Sequence, residues 1–209
     1  MRARGPRAVA LALVALGAVA GAARAHITPP VLLASDRDVL LELLAGARRF
    51  FVREVRLTPE ERRLVEQQAG WAPDADFYRF YLGRDPEGRL VAGALFLTEF
   101  TIHGPVRVAV GLDPEGRVRG ARVVELTEET YPWLKPLLDR DFTRGWVGRS
   151  AHDAFTLAAH AGGNPMTAFY GEIVGRLVQR GAVLWEVGVR RREGGPAPPR
   201  SRAAPAPTA

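Results

Sequence analysis

The stretch VRVAVGLDPEGRVRGARVVEL, residues 106–126, decides the fold class. Two runs rich in β-branched residues flank the pentapeptide DPEGR, residues 113–117. Proline at its second place and glycine at its fourth favour a type I turn that closes with a left-handed residue, the usual short hairpin loop. The same pentapeptide, at residues 85–89, joins two further strand-like runs. We therefore predict two hairpins that form one antiparallel sheet.

Helical patterns lie on both sides of these hairpins. Ser35 is a candidate N-cap, and Thr58 followed by Pro59 has the start signals of a second helix. A third helix begins near Asn164 and is expected to end at Gly181, followed by AVLWEV as a last strand. The sequence thus predicts an α+β fold: an antiparallel sheet of two hairpins with flanking helices.

The two ends of the chain differ in composition from its body. Residues 1–25 combine early arginines, an apolar run over residues 8–23 and a small-x-small site, which is typical of a signal peptide. An uncleaved membrane anchor is the alternative. Either interpretation places the body, residues 26–189, in the periplasm or another extracytoplasmic space. Residues 190–209 are rich in proline, alanine and arginine and are predicted to be a disordered tail.

Composition excludes several classes of function. The net charge of +6 resides in the two ends of the chain and leaves a slightly acidic body, so we expect no nucleic-acid binding. The absence of cysteine excludes disulfides, thiolate metal sites and a cysteine nucleophile. The hydrolase, P-loop and dinucleotide-binding glycine motifs are also absent. His152 and His160 are eight residues apart, which is not a recognised metal-site spacing.

The stretch GGNPMTAFYGEIV, residues 162–174, is the one candidate for phosphate binding. A helix N-terminus presents free N–H groups and the positive end of the helix dipole to an anion. The hydroxyl of Thr167 could hydrogen-bond a phosphate or form an ester with it. The plain alternative is that Asn164 caps the helix and Pro165 occupies its first position, with no ligand.

Three segments together resemble the exported FMN-binding domain family, which includes the flavin-carrying C subunit of the sodium-pumping NADH:quinone reductase and the G subunit of the Rnf complex. The most similar segment is VRVAVGLDPEGRVRGARVVELTEET, residues 106–130. DRDFTRGWVGRS and LTPEERRLVEQQAGWAPDADFYRFY resemble the stretches that lie after and before that hairpin in the family. The resemblance spans residues 33–181 and implies an FMN-binding-domain-like fold.

The resemblance also implies a function and a site. It implies an electron-transfer module of a membrane-associated redox chain, whose partner is a membrane redox complex or an exported redox protein. A flavin transferase would join the FMN phosphate to Thr167, at the helix start formed by Asn164. Tyr131 and Trp133 would pack against the isoalloxazine, unless they only pack the loop, and Glu129 and Thr130 would lie at its polar edge.

The attachment motif of the family is altered in this chain. Asn164, Pro165 and Met166 stand where the family has serine or threonine, glycine and alanine. Covalent attachment of FMN is therefore open. The alternative function is that of a flavin-free member, which serves as a binding or assembly module for a membrane redox complex.

Overall fold

The computed structural model describes residues 28–157 and 164–192, which form an α+β fold and confirm the predicted fold class. Its strands are β1 (Pro30–Leu32), β2 (Arg49–Val55), β3 (Tyr78–Arg84), β4 (Leu90–Thr101), β5 (Gly104–Leu112) and β6 (Val118–Thr127). Its α-helices are α1 (Asp36–Leu43), α2 (Pro59–Ala69), α3 (Tyr131–Leu138) and α4 (Pro165–Trp185). The predicted signal peptide and most of the predicted tail lie outside the described residues.

The six strands form one antiparallel sheet in the order β1-β6-β5-β4-β3-β2. The two DPEGR loops connect β3 to β4 and β5 to β6, as predicted. In each loop the aspartate accepts a hydrogen bond from the N–H of the arginine, 2.8 Å away. Gly88 and Gly116 have φ angles of 87° and 85°, the left-handed conformation that this turn requires. The edge strands β1 and β2 extend the two hairpins to six strands.

The first two helices begin where their caps were predicted. Ser35 accepts a hydrogen bond from the N–H of Asp38 at the start of α1. Thr58 and Glu61 form a reciprocal capping box at the start of α2, and Gly70 ends that helix in the left-handed conformation. These ends were predictable because each depends on local hydrogen bonds within a few residues.

Helix α4 is longer than the sequence indicated. The expectation that it ends at Gly181 and that AVLWEV forms a strand is wrong: the helix continues through Gly181 to Trp185, and one π-helical turn, Glu186–Arg190, follows. Every residue from Gly181 to Val189 is buried, so the segment has no polar face to reveal a helical period. Arg190 and Arg192, expected in the tail, belong to the folded body through ion pairs with Glu186 and Glu61.

Helix α4 covers one face of the sheet and builds the larger core. Along its length lie large, fully buried side chains such as Tyr170, Leu177 and Trp185. Contact is close because Gly93 on β4 lies beneath Trp185, where an added Cβ would be 2.0 Å from the ring carbon Cζ3. Helix α1 covers the opposite face over a smaller core around Val39 and Leu43. Among the described residues, none of the helices is long and apolar enough to cross a membrane.

An ion pair holds α1 on the sheet. Both guanidinium nitrogens of Arg107 on β5 donate to the carboxylate of Asp36, at 2.6 and 2.7 Å. The guanidinium also lies over the ring of Phe96, 4.4 Å from its centre. The hydrogen bond from Arg107 lowers the pKa of Asp36 below its ordinary value. The first turn of α1 is therefore fixed to the centre of the sheet.

We expect Gly93→Ala to lower the free energy of unfolding by about 3 kcal/mol, because the new methyl group overlaps Trp185. The measurement is urea unfolding followed by circular dichroism. Gly145→Ala is the matched control, since no atom lies within 4 Å of a Cβ added there. Equal stability of the two variants would contradict close packing of α4 on β4.

We expect Asp36→Asn to lower the free energy of unfolding at neutral pH by less than about 1 kcal/mol, because the pair is partly exposed to solvent. A carboxylate whose pKa is lowered by folding stabilises the protein above its unfolded pKa and loses that contribution as the pH falls through its folded pKa. The difference in the free energy of unfolding between Asp36→Asn and wild type should therefore become smaller at pH values below the ordinary titration range of aspartate. Urea unfolding over a series of acidic pH values measures this, and a difference independent of pH would disprove it.

Candidate functional site

The predicted site residues lie at the end of the sheet where β6 leads into α3 and where α4 begins. Glu129 and Thr130 follow β6, and Tyr131 and Trp133 lie in the first turn of α3. The turn between β4 and β5 reaches the same end of the sheet, because β5 is antiparallel to both β4 and β6. We refer to this turn, residues 100–104, as the hairpin tip.

Thr167 is buried and its hydroxyl has a structural partner. Its side-chain Oγ1 donates a hydrogen bond of 2.8 Å to the carbonyl oxygen of Trp133, and the residue is 3% exposed. Asn164 is the N-cap of α4 and accepts a hydrogen bond from the N–H of Met166. Pro165 has no N–H to offer. The start of α4 is thus fastened to the start of α3.

The indole of Trp133 contacts two other rings. Tyr170, one turn along α4 from Thr167, stacks on it at 5.5 Å between centroids and 18° between planes. His103, on the hairpin tip, meets it edge-on at 4.9 Å. The hydroxyl of Tyr170 lies 3.3 Å from Oγ1 of Thr101, and burial raises the pKa of Tyr170. The cluster therefore joins α3, α4 and the β4–β5 hairpin.

A hydrogen bond between His103 and Glu129 forms the more exposed part of the cluster. The Nδ1 atom of His103 lies 2.6 Å from Oε1 of Glu129, and the two side chains are 24% and 43% exposed. The hydroxyl of Thr127 donates to the carbonyl oxygen of His103, which fixes the hairpin tip against the end of β6. A carboxylate in this place orients the imidazole and presents a polar group to an approaching molecule.

Thr130 and Tyr131 have other surroundings. Thr130 is fully buried, and its hydroxyl is hydrogen-bonded to Thr127, so it shapes the loop. Tyr131 lines a separate cavity of about 490 Å³ between α1 and α3, whose lining also includes Lys135 and Phe142 but not Trp133. Neighbouring residues of a helix are about 100° apart around its axis. Residues 131 and 133 are two positions apart, so they are separated by about 200° and point to opposite sides of α3. The structure thus brings together Glu129, Trp133 and Thr167, but not Tyr131.

Sequence reasoning missed His103 and Tyr170 as members of this cluster. Tyr170 lies three residues after Thr167, so a helix beginning at Asn164 places both on one face. His103 could have been found from the hairpin order, since the β4–β5 turn and the end of β6 must share one end of an antiparallel sheet. Both indications were available in the sequence once the hairpins were recognised.

The arrangement does not fit an FMN attached through Thr167. A phosphoester needs an accessible hydroxyl, whereas this one is buried and donates to Trp133. An isoalloxazine stacked on Trp133 would have to share the indole with Tyr170, which already covers one of its faces. Within residues 28–157 and 164–192, no group of histidine, aspartate and glutamate side chains could hold a metal ion.

Comparison with known proteins adds no assignment: no protein-family model matches the chain, and no curated protein matches it. The site is therefore interpreted from its own geometry.

We expect Thr167→Val to lower the free energy of unfolding by about 1 kcal/mol, because the hydrogen bond to the Trp133 carbonyl is lost from a buried place. Thr167→Ser keeps the hydroxyl and serves as the matched control. Thermal unfolding measured by circular dichroism, with tryptophan fluorescence as a second probe of Trp133, follows the change. If both variants were as stable as wild type, the hydroxyl would have no structural role.

Proposed function

We propose that this protein is a flavin-free binding or assembly module for a membrane redox complex, built on an FMN-binding-type fold. The observation that carries the proposal is the hydrogen bond from Thr167 to the Trp133 carbonyl. The side chain that the family resemblance assigns to the phosphate fastens two helices together here. The ring that the resemblance assigns to the flavin stacks on Tyr170.

The hairpin tip is the contact surface that the proposal requires. Phe100 and Ile102 are 82% and 96% exposed, the largest exposures among the big apolar side chains of the described residues. Phe169, which is 48% exposed, packs against Tyr170 near the start of α4. Exposed apolar side chains beside polar groups are typical of a protein-binding surface. The His103–Glu129 pair supplies the polar contact at this surface.

The hairpin tip is held in one shape before a partner binds. The hydroxyl of Thr101 donates to the carbonyl oxygen of Gly104 and accepts from the N–H of His103. Thr127 fixes the carbonyl oxygen of His103 from the neighbouring strand. A preorganised surface loses less conformational entropy on association, which favours binding. In this proposal the partner is a membrane redox complex or an exported redox protein on the extracytoplasmic side.

The rival function is an electron carrier with FMN. One observation favours it, since Glu129, Trp133 and Thr167 lie together as the family resemblance implies. It requires the hydrogen bond between Thr167 and Trp133 to break and Tyr170 to leave the indole. A flavin transferase would be a partner only in this case.

Intact mass separates the two functions. The exported protein is made in a host that carries a flavin transferase, beside Thr167→Ala and a known substrate of the transferase as a positive control. We expect wild type and Thr167→Ala both to have the unmodified mass. Both samples should be colourless, and they should bind no FMN when it is added to the purified protein. A mass increase of one FMN less one water, lost in Thr167→Ala, would contradict the proposal and support the electron carrier.

A further inference from the structure

A second apolar surface lies at the edge of the sheet that β2 forms, away from the hairpin tip. Three consecutive residues of the edge strand β2 are exposed although apolar: Phe50 by 53%, Phe51 by 49% and Val52 by 59%. Leu41 on α1, which is 54% exposed, is part of the same surface. Successive residues of a strand point to opposite faces of the sheet, so both faces of this edge carry an exposed phenylalanine.

These residues line a shallow apolar cavity of about 410 Å³ between α1 and β2. Its lining is almost wholly apolar, with one cation, and comprises Arg37, Leu40, Leu41, Leu44, Phe50, Phe51, Val52 and Tyr81. We call this surface the β2 patch. Strand β2 pairs with β3 on one side, and within the described residues no strand pairs with its other side.

Positive charge surrounds the β2 patch. Arg37 lines the cavity, and Arg48 and Arg49 precede the exposed phenylalanines directly; all three are exposed. Among residues 28–157 and 164–192, none of these three arginines takes part in an ion pair. Of the nearby acids, Glu54 pairs with Arg79 and Asp36 pairs with Arg107, while Asp38 lines the separate cavity that contains Tyr131. The patch therefore combines an apolar centre with an uncompensated basic rim.

We propose that the β2 patch binds the surface of a bilayer that contains anionic lipids. Phenylalanine and leucine side chains enter the boundary between headgroups and acyl chains, while arginines meet the lipid phosphates. The charges disfavour a second copy of this chain as the occupant, because the basic rims of two chains would meet at the interface. This inference stands apart from the proposed function, which concerns the hairpin tip.

Binding through the β2 patch would leave the hairpin tip accessible. Phe50 pairs with Gly83, and Gly83 pairs with Ala92 near the beginning of β4. Ile102, one residue beyond the far end of β4, lies ten residues after Ala92, roughly 33 Å at the rise of an antiparallel strand. The two surfaces thus occupy opposite ends of the sheet and can act at the same time.

The absence of cysteine allows a direct test with a single label. Val52→Cys is made in the full chain and labelled with the polarity-sensitive fluorophore NBD. Ile102→Cys, an exposed position at the opposite end of the sheet, is the matched control. Because the N-terminal apolar run can itself bring the chain to vesicles, the readout is the environment at the labelled position rather than total binding.

We expect a blue shift of the label at position 52, and its quenching by spin-labelled lipid, with vesicles that contain phosphatidylglycerol. Neutral phosphatidylcholine vesicles or high salt should reduce both effects, because the attraction to the arginines is electrostatic. The label at position 102 should remain in water. A blue shift at position 52 without vesicles would show that a second copy or the chain itself covers the patch, and would overturn the proposal. No shift with anionic vesicles would also overturn it.

Charge variants test the basic rim separately. In the labelled protein, Arg48→Gln with Arg49→Gln should raise the anionic-lipid concentration needed for half of the shift by about fivefold for each arginine removed. Arg140 and Arg144 are exposed and remote from the patch. Replacing both with Gln removes the same charge and should leave the anionic-lipid concentration for half of the shift nearly unchanged. Circular dichroism confirms that each variant is folded. Equal effects of the two pairs would show attraction by overall charge alone and would contradict a site at β2.

Discussion

Close contact between helix α4 and the sheet is the constraint on which the rest of the structure depends. Glycines make this contact possible: Gly93 lies under Trp185, and Gly181 lies against Val110. A third, Gly175, admits the backbone of Phe155, whose carbonyl oxygen would be 2.2 Å from an added Cβ. With the helix axis fixed in this way, the first turn of α4 has a fixed position too. Thr167 and Tyr170 therefore meet α3 and the hairpin tip in only one arrangement.

The sequence predicted those parts of the fold that depend on local chemistry. The two DPEGR turns and the caps at Ser35 and Thr58 are determined by hydrogen bonds within four residues, and all of them are present. The end of α4 was missed for the opposite reason. Its last turns are buried on every side by the sheet, α2 and the π-helical turn, so no pattern of polar residues shows the helical period. Only tertiary packing distinguishes that segment from a buried strand.

The location of the candidate site was predictable from the sequence, but only some of the residues that form it were. Glu129, Trp133 and Thr167 converge because the end of β6 and the start of α4 meet at one end of the sheet. Tyr131 was expected beside them because the family resemblance assigned it, together with Trp133, to the isoalloxazine. Once residues 131–138 form a helix, Tyr131 and Trp133 must face opposite sides. His103 joins from the β4–β5 hairpin, whose place at this end of the sheet follows only once the two predicted hairpins are put in one antiparallel sheet.

The place of α4 in the chain has a consequence for how the protein is made. All six strands precede this helix, so a growing chain can pair its hairpins before the cover of the larger core exists. Until residues 165–185 leave the ribosome, Phe80, Leu95 and Val110 have no helix against which to pack. The incomplete sheet then exposes an apolar surface that is prone to aggregation. The larger core can therefore close only after nearly all of the described body has been synthesised.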